Sequence, residues 1–417
     1  MIPFLAILCL FSSCNQNAKK QPALTALDTT VYPVIAPQPL SKEKYNRYNE
    51  ACSNFFDSLL LRHGAFNGSI LVAKDGNIVY EKYAGFVNPA TKRDSLGLGD
   101  AFHLASVSKT FTAMAVLKLW EEGRLNIEDT LGKYFPNFPY KNITIKNLLS
   151  HRSGLANYVH YLDINGWDKR KMVNNIDVLT SLYMMKPPLE FPSGKHFSYC
   201  NTNYALLALI IEKVSGQSYT EFLSQTFFTP LGMKDTYVFS MKDTARAMLS
   251  YQYNNRAYKL EFLDAVYGDK NVYSTVRDML KWDQALYAGR IFKQATLDSA
   301  FAGYSWEKHG KRNYGLGWRM TFLDNGKKLL YHNGWWHGNN TAFVRLIDEK
   351  ATIIVLGNKF NRRIYASKHL ADLFGNYMQH GNVGEEVENP SSGGGEPGGG
   401  AVVAKVSRVH HHRRHRK

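Results

Sequence analysis

The residue pattern predicts an α/β (α+β) chain whose sheet is assembled from both ends of the sequence. Three observations carry this. Two β-rich runs, 68–73 and 77–83, are joined by Asp75-Gly76, a dipeptide that favours the tight turn of a hairpin. The middle of the chain, from Phe111 to about Tyr287, reads as helical. Strand character then returns in four runs, 316–323, 328–332, 340–347 and 352–358, with Asn325-Gly326 as a second tight turn. Strands that flank a helical middle share one sheet only if the two ends come together.

Taken in order, residues 1–13 form an apolar run too short to span a bilayer, ending in small residues directly before Cys14. Phe11-Ser12-Ser13-Cys14 resembles a bacterial lipobox, which implies that 1–14 is a signal segment and that Cys14 carries lipid. An ordinary cleaved secretory signal is the other reading. Residues 15–40 are polar and Pro-rich, as suits a tether. A compact domain over 41–380 follows, opening with a helix at 41–62 whose Tyr45, Tyr48, Cys52, Phe55, Phe56 and Leu59 cover one face. In the helical middle, Pro/Gly punctuation at 191–194 leads into an apolar helix over 205–214 that Gly216 closes. Ser218 and Glu221 form a capping box for the next helix, which Pro230-Leu231-Gly232 ends. An amphipathic helix over 363–379 closes the domain. Residues 381–417 are Gly-rich and then basic, ending in His410-His411-His412-Arg413-Arg414-His415-Arg416-Lys417, and are expected to be disordered.

The formal charge of +16 is spread along the whole chain. Such a diffuse positive surface favours anionic surroundings, such as envelope polyanions or a membrane surface. Nucleic acid is set aside, because no basic helix, zinc spacing or aromatic RNA-binding box supports it. The four cysteines, Cys9, Cys14, Cys52 and Cys200, form no disulfide framework or metal-ligand pattern, and Cys52 and Cys200 read as buried free thiols.

The chemistry centres on Ser106-Val107-Ser108-Lys109 at the start of the helix that begins near Phe111. Residues three apart share a helix face, so the Lys109 amine reaches the Ser106 hydroxyl. A serine is a weak nucleophile until a neighbour takes its proton, and a lysine does this once burial and nearby positive charge favour its neutral form. The helix N-terminus adds N–H groups where an oxyanion forms. By itself S-x-x-K is a common pattern, and an N-cap serine before an exposed lysine is the alternative. His151 reads as a packed, hydrogen-bonded helix-end histidine rather than a triad member, since no aspartate stands in a partnering position.

Two further boxes follow in chain order, Tyr199-Cys200-Asn201 and His332-Asn333-Gly334. Together the three resemble the S-x-x-K, Y-x-N and K/H-x-G motifs of the serine hydrolases that include class C β-lactamases, penicillin-binding D-peptidases and related esterases. Matching landmarks extend the resemblance over residues 41–379. It implies a β-lactamase/transpeptidase-like fold: an antiparallel sheet flanked by helices, a large helical region inserted, and the active site between them. It further implies acyl transfer through an acyl-enzyme on Ser106, with Lys109 as general base or as the cation that tunes Tyr199, and Tyr199 as proton shuttle. Asn201 would hydrogen-bond Lys109 and the substrate, and His332 would replace the lysine of the third box on an edge strand. Gly334 would let that strand approach closely, so that the N–H of Trp335 completes an oxyanion hole with that of Ser106. No metal or organic cofactor is required by this chemistry. The partners implied are a small-molecule or peptide acyl substrate and, through Cys14, the membrane of a bacterial envelope.

Histidine in the third box departs from a strong β-lactamase, because a mostly neutral ring offers a substrate carboxylate only a hydrogen bond. Trp335 and Trp336 suggest an apolar acyl or alcohol portion, or stacking on a sugar, with sheet packing as the plainer reading. Cys200 reads as a small packed residue. The substrate alternatives are an ester and a peptide with a D-residue, with a β-lactam-related acyl compound as a third. The alternative function is a non-catalytic binding or assembly protein that keeps the fold.

Overall fold

The computed structural model describes residues 36–62, 64–287, 289–307 and 312–378. Cys14 and the basic tail lie outside the described residues. The strands are β1 (Gly68–Lys74), β2 (Asn77–Ala84), β3 (Phe102–His103), β4 (Tyr237–Val238), β5 (Val272–Ser274), β6 (Arg312–Tyr314), β7 (Arg319–Phe322), β8 (Lys328–Trp336), β9 (Asn339–Leu346) and β10 (Ala351–Gly357). The α-helices are α1 (Lys42–Phe56), α2 (Ser108–Glu121), α3 (Leu131–Tyr134), α4 (Ile145–Leu149), α5 (Tyr158–Ile164), α6 (Asn175–Met185), α7 (Asn201–Ser215), α8 (Tyr219–Leu223), α9 (Val276–Ala285) and α10 (Gln294–Ala300).

Seven strands form an antiparallel sheet in the order β2-β1-β10-β9-β8-β7-β6, and β3, β5 and β4 form a small second sheet. The two ends of the chain meet where β1 pairs with β10, Gly68 opposite Gly357 and Lys74 opposite Ala351. Helices cover both faces of the large sheet. Ile70, Val72, Ile353 and Val355 pack into a core under α1 and the closing 3₁₀ segment Arg362–Leu373. Leu71, Ile354 and Leu356 point the other way, into the larger core shared with α2 and α7. Burial on both faces is why β1 and β10 read as continuous apolar runs rather than alternating ones. Helix α2 is enclosed nearly all round, with Phe111 through Leu117 fully buried or in contact with buried neighbours, as a helix apolar on every side must be.

The structure departs from the sequence-based expectations in local detail. The first helix continues past Phe56 as a wider π-type turn, Asp57–Leu61. The run expected at 316–323 shrinks to β7, because Gly317 takes φ +90° and Gly315 N–H donates to the Trp318 carbonyl in a turn that separates it from β6, a strand that ends before the expected run begins. Strand β8 runs four residues beyond His332. The closing helix ends at Leu373, just before Gly375. The small sheet went unpredicted, since strands of two or three residues leave no periodic pattern.

Candidate active site

The candidate nucleophile sits where the small sheet, α2 and β8 converge. Ser106 lies in a 3₁₀ turn, Ala105–Val107, that joins β3 to α2. Ala105 is held at φ +48°, a left-handed conformation that costs a non-glycine residue about 1–2 kcal/mol. Neighbours impose it. The Ala105 N–H donates to His103 Nδ1 (3.1 Å), Leu104 N–H donates to the Val272 carbonyl (2.8 Å), and Thr341 Oγ1 donates to the Leu104 carbonyl (2.7 Å). His103 is therefore protonated at Nε2, which faces Asn271 Oδ1 at 2.9 Å. Burial, opposed by that contact, pulls His103 down to about 4, so the ring stays neutral and its Nδ1 lone pair stays available.

Lys109, the second residue of α2, is wholly buried. Its Nζ donates to Ser106 Oγ (3.2 Å), Asn201 Oδ1 (2.8 Å) and the Asp269 carbonyl (2.8 Å). All three acceptors are neutral oxygens. The Asp269 carboxylate is turned elsewhere, accepting from Tyr158 Oη at 2.8 Å and facing Lys270 Nζ at 3.6 Å. Asn201 opens α7 and so is fixed by the helix that packs on α2.

Tyr199 precedes α7 with its ring against Lys109 Nζ, 4.9 Å from the centroid. His151 packs on that ring, centroids 4.3 Å apart, and Arg319 places its guanidinium over it at 4.9 Å. His151 is the packed histidine the sequence indicated: Nδ1 accepts from the Cys200 N–H at 3.1 Å and faces Asn203 Nδ2 at 3.2 Å. Burial first, then the charges of Lys109 and Arg319, hold it well below its ordinary range and therefore neutral. Cys200 is buried, its Sγ donating to the Leu155 carbonyl at 3.2 Å, and burial pushes the thiol up to about 11.

Strand β8 forms the opposite wall. It is third from the edge of the sheet, not an edge strand as expected, yet β7 pairs with it only through Tyr331. Among the described residues no strand pairs with its outer side from His332 to Trp336, and this is the part that faces Ser106. A Cβ on Gly334 would lie 2.3 Å from the Leu104 carbonyl oxygen and 3.0 Å from Ser106 N, so the close approach requires glycine. Trp335 follows at the point where both backbones meet.

Two expectations for this strand are corrected. His332 is at the site but fully buried, its Nδ1–H donating to the Asn333 carbonyl (2.7 Å) and its Nε2 accepting from Tyr314 Oη (3.1 Å). Both ring nitrogens are engaged within the protein, so the ring offers no donor to a substrate. Burial, then Arg319 and Lys109, hold it neutral. Trp336 is core packing rather than a cleft aromatic: it is buried, and its Nε1 donates to Asp264 Oδ1 at 2.6 Å. Trp335 is only partly buried, its Nε1 donating to the His337 carbonyl at 3.0 Å.

Arg319, His103 and the strained Ala105 escaped the sequence reading. Arg319 carries no motif, and only its pairing opposite Tyr331 brings it to Tyr199. Among the described residues, Glu261, Asp264 and His337 form a group with metal-ligand spacing, ligand atoms within 4.8 Å of one another. It lies behind β8, and Asp264 already accepts from Trp336 and His337.

Comparison with known proteins accords with this geometry. A family model described as Beta-lactamase matches residues 53–374. The chain is 34% identical over 320 residues to penicillin-binding protein 4* of Bacillus subtilis (strain 168), covering 73% of this chain and 70% of that one. It is 28% identical over 296 residues to the D-aminopeptidase of Brucella anthropi, covering 70% of this chain and 56% of that one. The crystal structure of a penicillin binding protein from Bacillus halodurans superposes with a TM-score of 0.67 at 23% identity, covering 76% of this chain and 99% of the other; at that identity the likeness concerns the fold. With three ordered boxes brought to one cleft and a family match spanning most of its length, the chain belongs to the beta-lactamase family of serine hydrolases.

Proposed function

We propose that the protein hydrolyses an ester or a D-residue-containing peptide through an acyl-enzyme on Ser106. The observation that carries the proposal is the buried Lys109 amine, which links Ser106 Oγ to Asn201 Oδ1 beneath the Tyr199 ring. In this reading Ser106 Oγ attacks the acyl carbon while its proton passes to the Lys109–Tyr199 couple. Breaking the C–O or C–N bond returns that proton to the leaving group. Water then repeats the sequence and releases the acid. The N–H groups of Ser106 and Trp335 stabilise the tetrahedral oxyanion, and Asn201 orients the acyl side. The relatives named penicillin-binding protein and D-aminopeptidase support the amide branch.

Mass spectrometry of the intact protein after exposure to a fluorophosphonate, a penicillin and a D-Ala-D-Ala peptide tests this. The expected result is a fluorophosphonate adduct on the peptide that contains Ser106, lost in Ser106→Ala, with the other two reagents sorting amide from ester specificity. A wild-type protein that turns over substrate but takes no label on Ser106 overturns the proposal.

We further propose a place at the bacterial envelope, held by lipid on Cys14. The lipobox-like Phe11-Ser12-Ser13-Cys14 motivates it, and no helix among the described residues is long and apolar enough to cross a membrane. Metabolic labelling with a fatty-acid analogue is expected to mark the wild type and not Cys14→Ser; equal labelling of both refutes it.

A further inference from the structure

A neutral His332 leaves open where the third box's positive charge has gone. We infer that Arg319, at the start of β7, supplies the fixed cation of this active site and acts through Tyr199 as a positioning residue. The inference rests on the proposed acyl-enzyme chemistry and deepens it.

Four observations converge. The guanidinium lies 4.9 Å from the centre of the Tyr199 ring, on a site that also holds Lys109 Nζ at 4.9 Å. Arg319 pairs with Tyr331, the last β8 residue that β7 covers, so its side chain arises at the spot where β8 opens toward Ser106. The histidine in the lysine position cannot serve, because both nitrogens are engaged by Asn333 and Tyr314. The field of Arg319 is also felt across the cleft, acting with burial and Lys109 to keep His332 and His151 neutral.

The groups that face Tyr199 come from every neighbouring element: Lys109 from α2, His151 after α4, Tyr204 from α7, Tyr314 from β6, Arg319 from β7 and His332 from β8. Of these, Lys109 and Arg319 can carry positive charge, and a guanidinium keeps its charge at all working pH values. A fixed cation beside a proton shuttle favours the deprotonated form of the shuttle and of the amine coupled to it. Arginine also suits the site sterically, since its plane can lie on an aromatic face as an ammonium cannot.

The test is the pH dependence of kcat/KM for a chromogenic ester in wild type, Arg319→Gln and Arg319→Lys, with thermal unfolding and Ser106 labelling by fluorophosphonate measured on each. At an effective dielectric of about 20, a charge about 5 Å away displaces a titration by roughly one to two pH units after partial screening. Arg319→Gln is therefore expected to move the acid limb of kcat/KM upward by about one unit or more, and Arg319→Lys to return it most of the way. A Gln variant that folds and keeps the wild-type pH profile overturns the inference, as does a Lys variant that fails to restore the limb. Loss of Ser106 labelling in the wild type instead would overturn the acyl-enzyme reading, so the two failures are distinct.

Discussion

Gly334→Ala is the sharpest test of how the cleft is closed. No positive φ is required at Gly334, so alanine pays no backbone penalty and the effect is steric alone. The new methyl would stand 2.3 Å from the Leu104 carbonyl oxygen and 2.3 Å from Thr341 Oγ1, where ordinary contact begins at 3.4 Å. Thr341 can rotate, at the loss of its 2.7 Å bond to Leu104. The Leu104 carbonyl cannot, since it belongs to the backbone that sets Ala105 and Ser106. Relief demands that β8 and the nucleophile turn separate by roughly 1 Å, a displacement of the kind that lowers rate by about 10²-fold when it falls between a nucleophile and its oxyanion donors. That is about 2.7 kcal/mol of transition-state stabilisation, beside an overpacking cost to stability of about 1–3 kcal/mol. Steady-state kcat on a short-chain chromogenic ester, read with circular dichroism and thermal unfolding, measures both. Gly132→Ala is the control, having open space and no positive φ. A folded Gly334→Ala enzyme with kcat within about threefold of wild type would refute the close-approach argument.

Cys200→Ala is expected to leave kcat within about threefold of wild type and to cost no more than about 1 kcal/mol, because the thiol is a buried filler bonded to the Leu155 carbonyl. Its native resistance to thiol reagents, which follows from a thiol pushed up to about 11 by burial, checks the same point. His103 makes stability depend on pH with a definite sign. Its folded pKa, about 4, lies below the ordinary 6.5, so the unfolded chain takes the proton first and the contribution present above pH 6.5 is lost as pH falls toward 4. The difference corresponds to about 3 kcal/mol. Unfolding free energy measured across that window should fall more steeply for wild type than for His103→Gln, and parallel curves would show that His103 is not the titrating group.

What the sequence disclosed follows the range of each signal. The Asp75-Gly76 hairpin, the Ser218–Glu221 capping box and the apolar α7 depend on neighbours a few residues apart, and each was legible. That the two ends share a sheet was inferred only because strands flank a helical middle, and the structure supplies the pairing itself, β1 with β10. The three boxes identified Ser106, Lys109, Tyr199, Asn201 and Gly334 as neighbours. What stayed hidden is contact made across register: Arg319 reaches Tyr199 because β7 stops pairing at Tyr331, and His103 reaches Ala105 because that residue takes a left-handed turn. No local pattern marks either. His332 illustrates the converse, since its position was legible but its burial and its two intramolecular hydrogen bonds were not.

The distribution of charge explains why such hidden contacts matter here. The segment between α8 and β5 brings two aspartates close to the cleft, yet both carboxylates are withheld from it. Asp269 offers Lys109 only its backbone carbonyl, while its side chain faces Tyr158 and Lys270. Asp264 is engaged by Trp336 and His337 behind β8. The histidines nearest Tyr199 are neutral and so add no charge to that of Lys109 and Arg319, which face the same ring. A cleft arranged in this way has a positive field and little fixed negative charge at the reacting atoms, and such a field stabilises an anion as it forms more than it stabilises a neutral ground state. The oxygens of Ser106, Asn201 and Asp269 that Lys109 Nζ meets are all neutral, a setting that suits the exchange of a proton between the amine and Ser106. The scaffold therefore contributes to the chemistry less by adding groups at the cleft than by turning acids away from it.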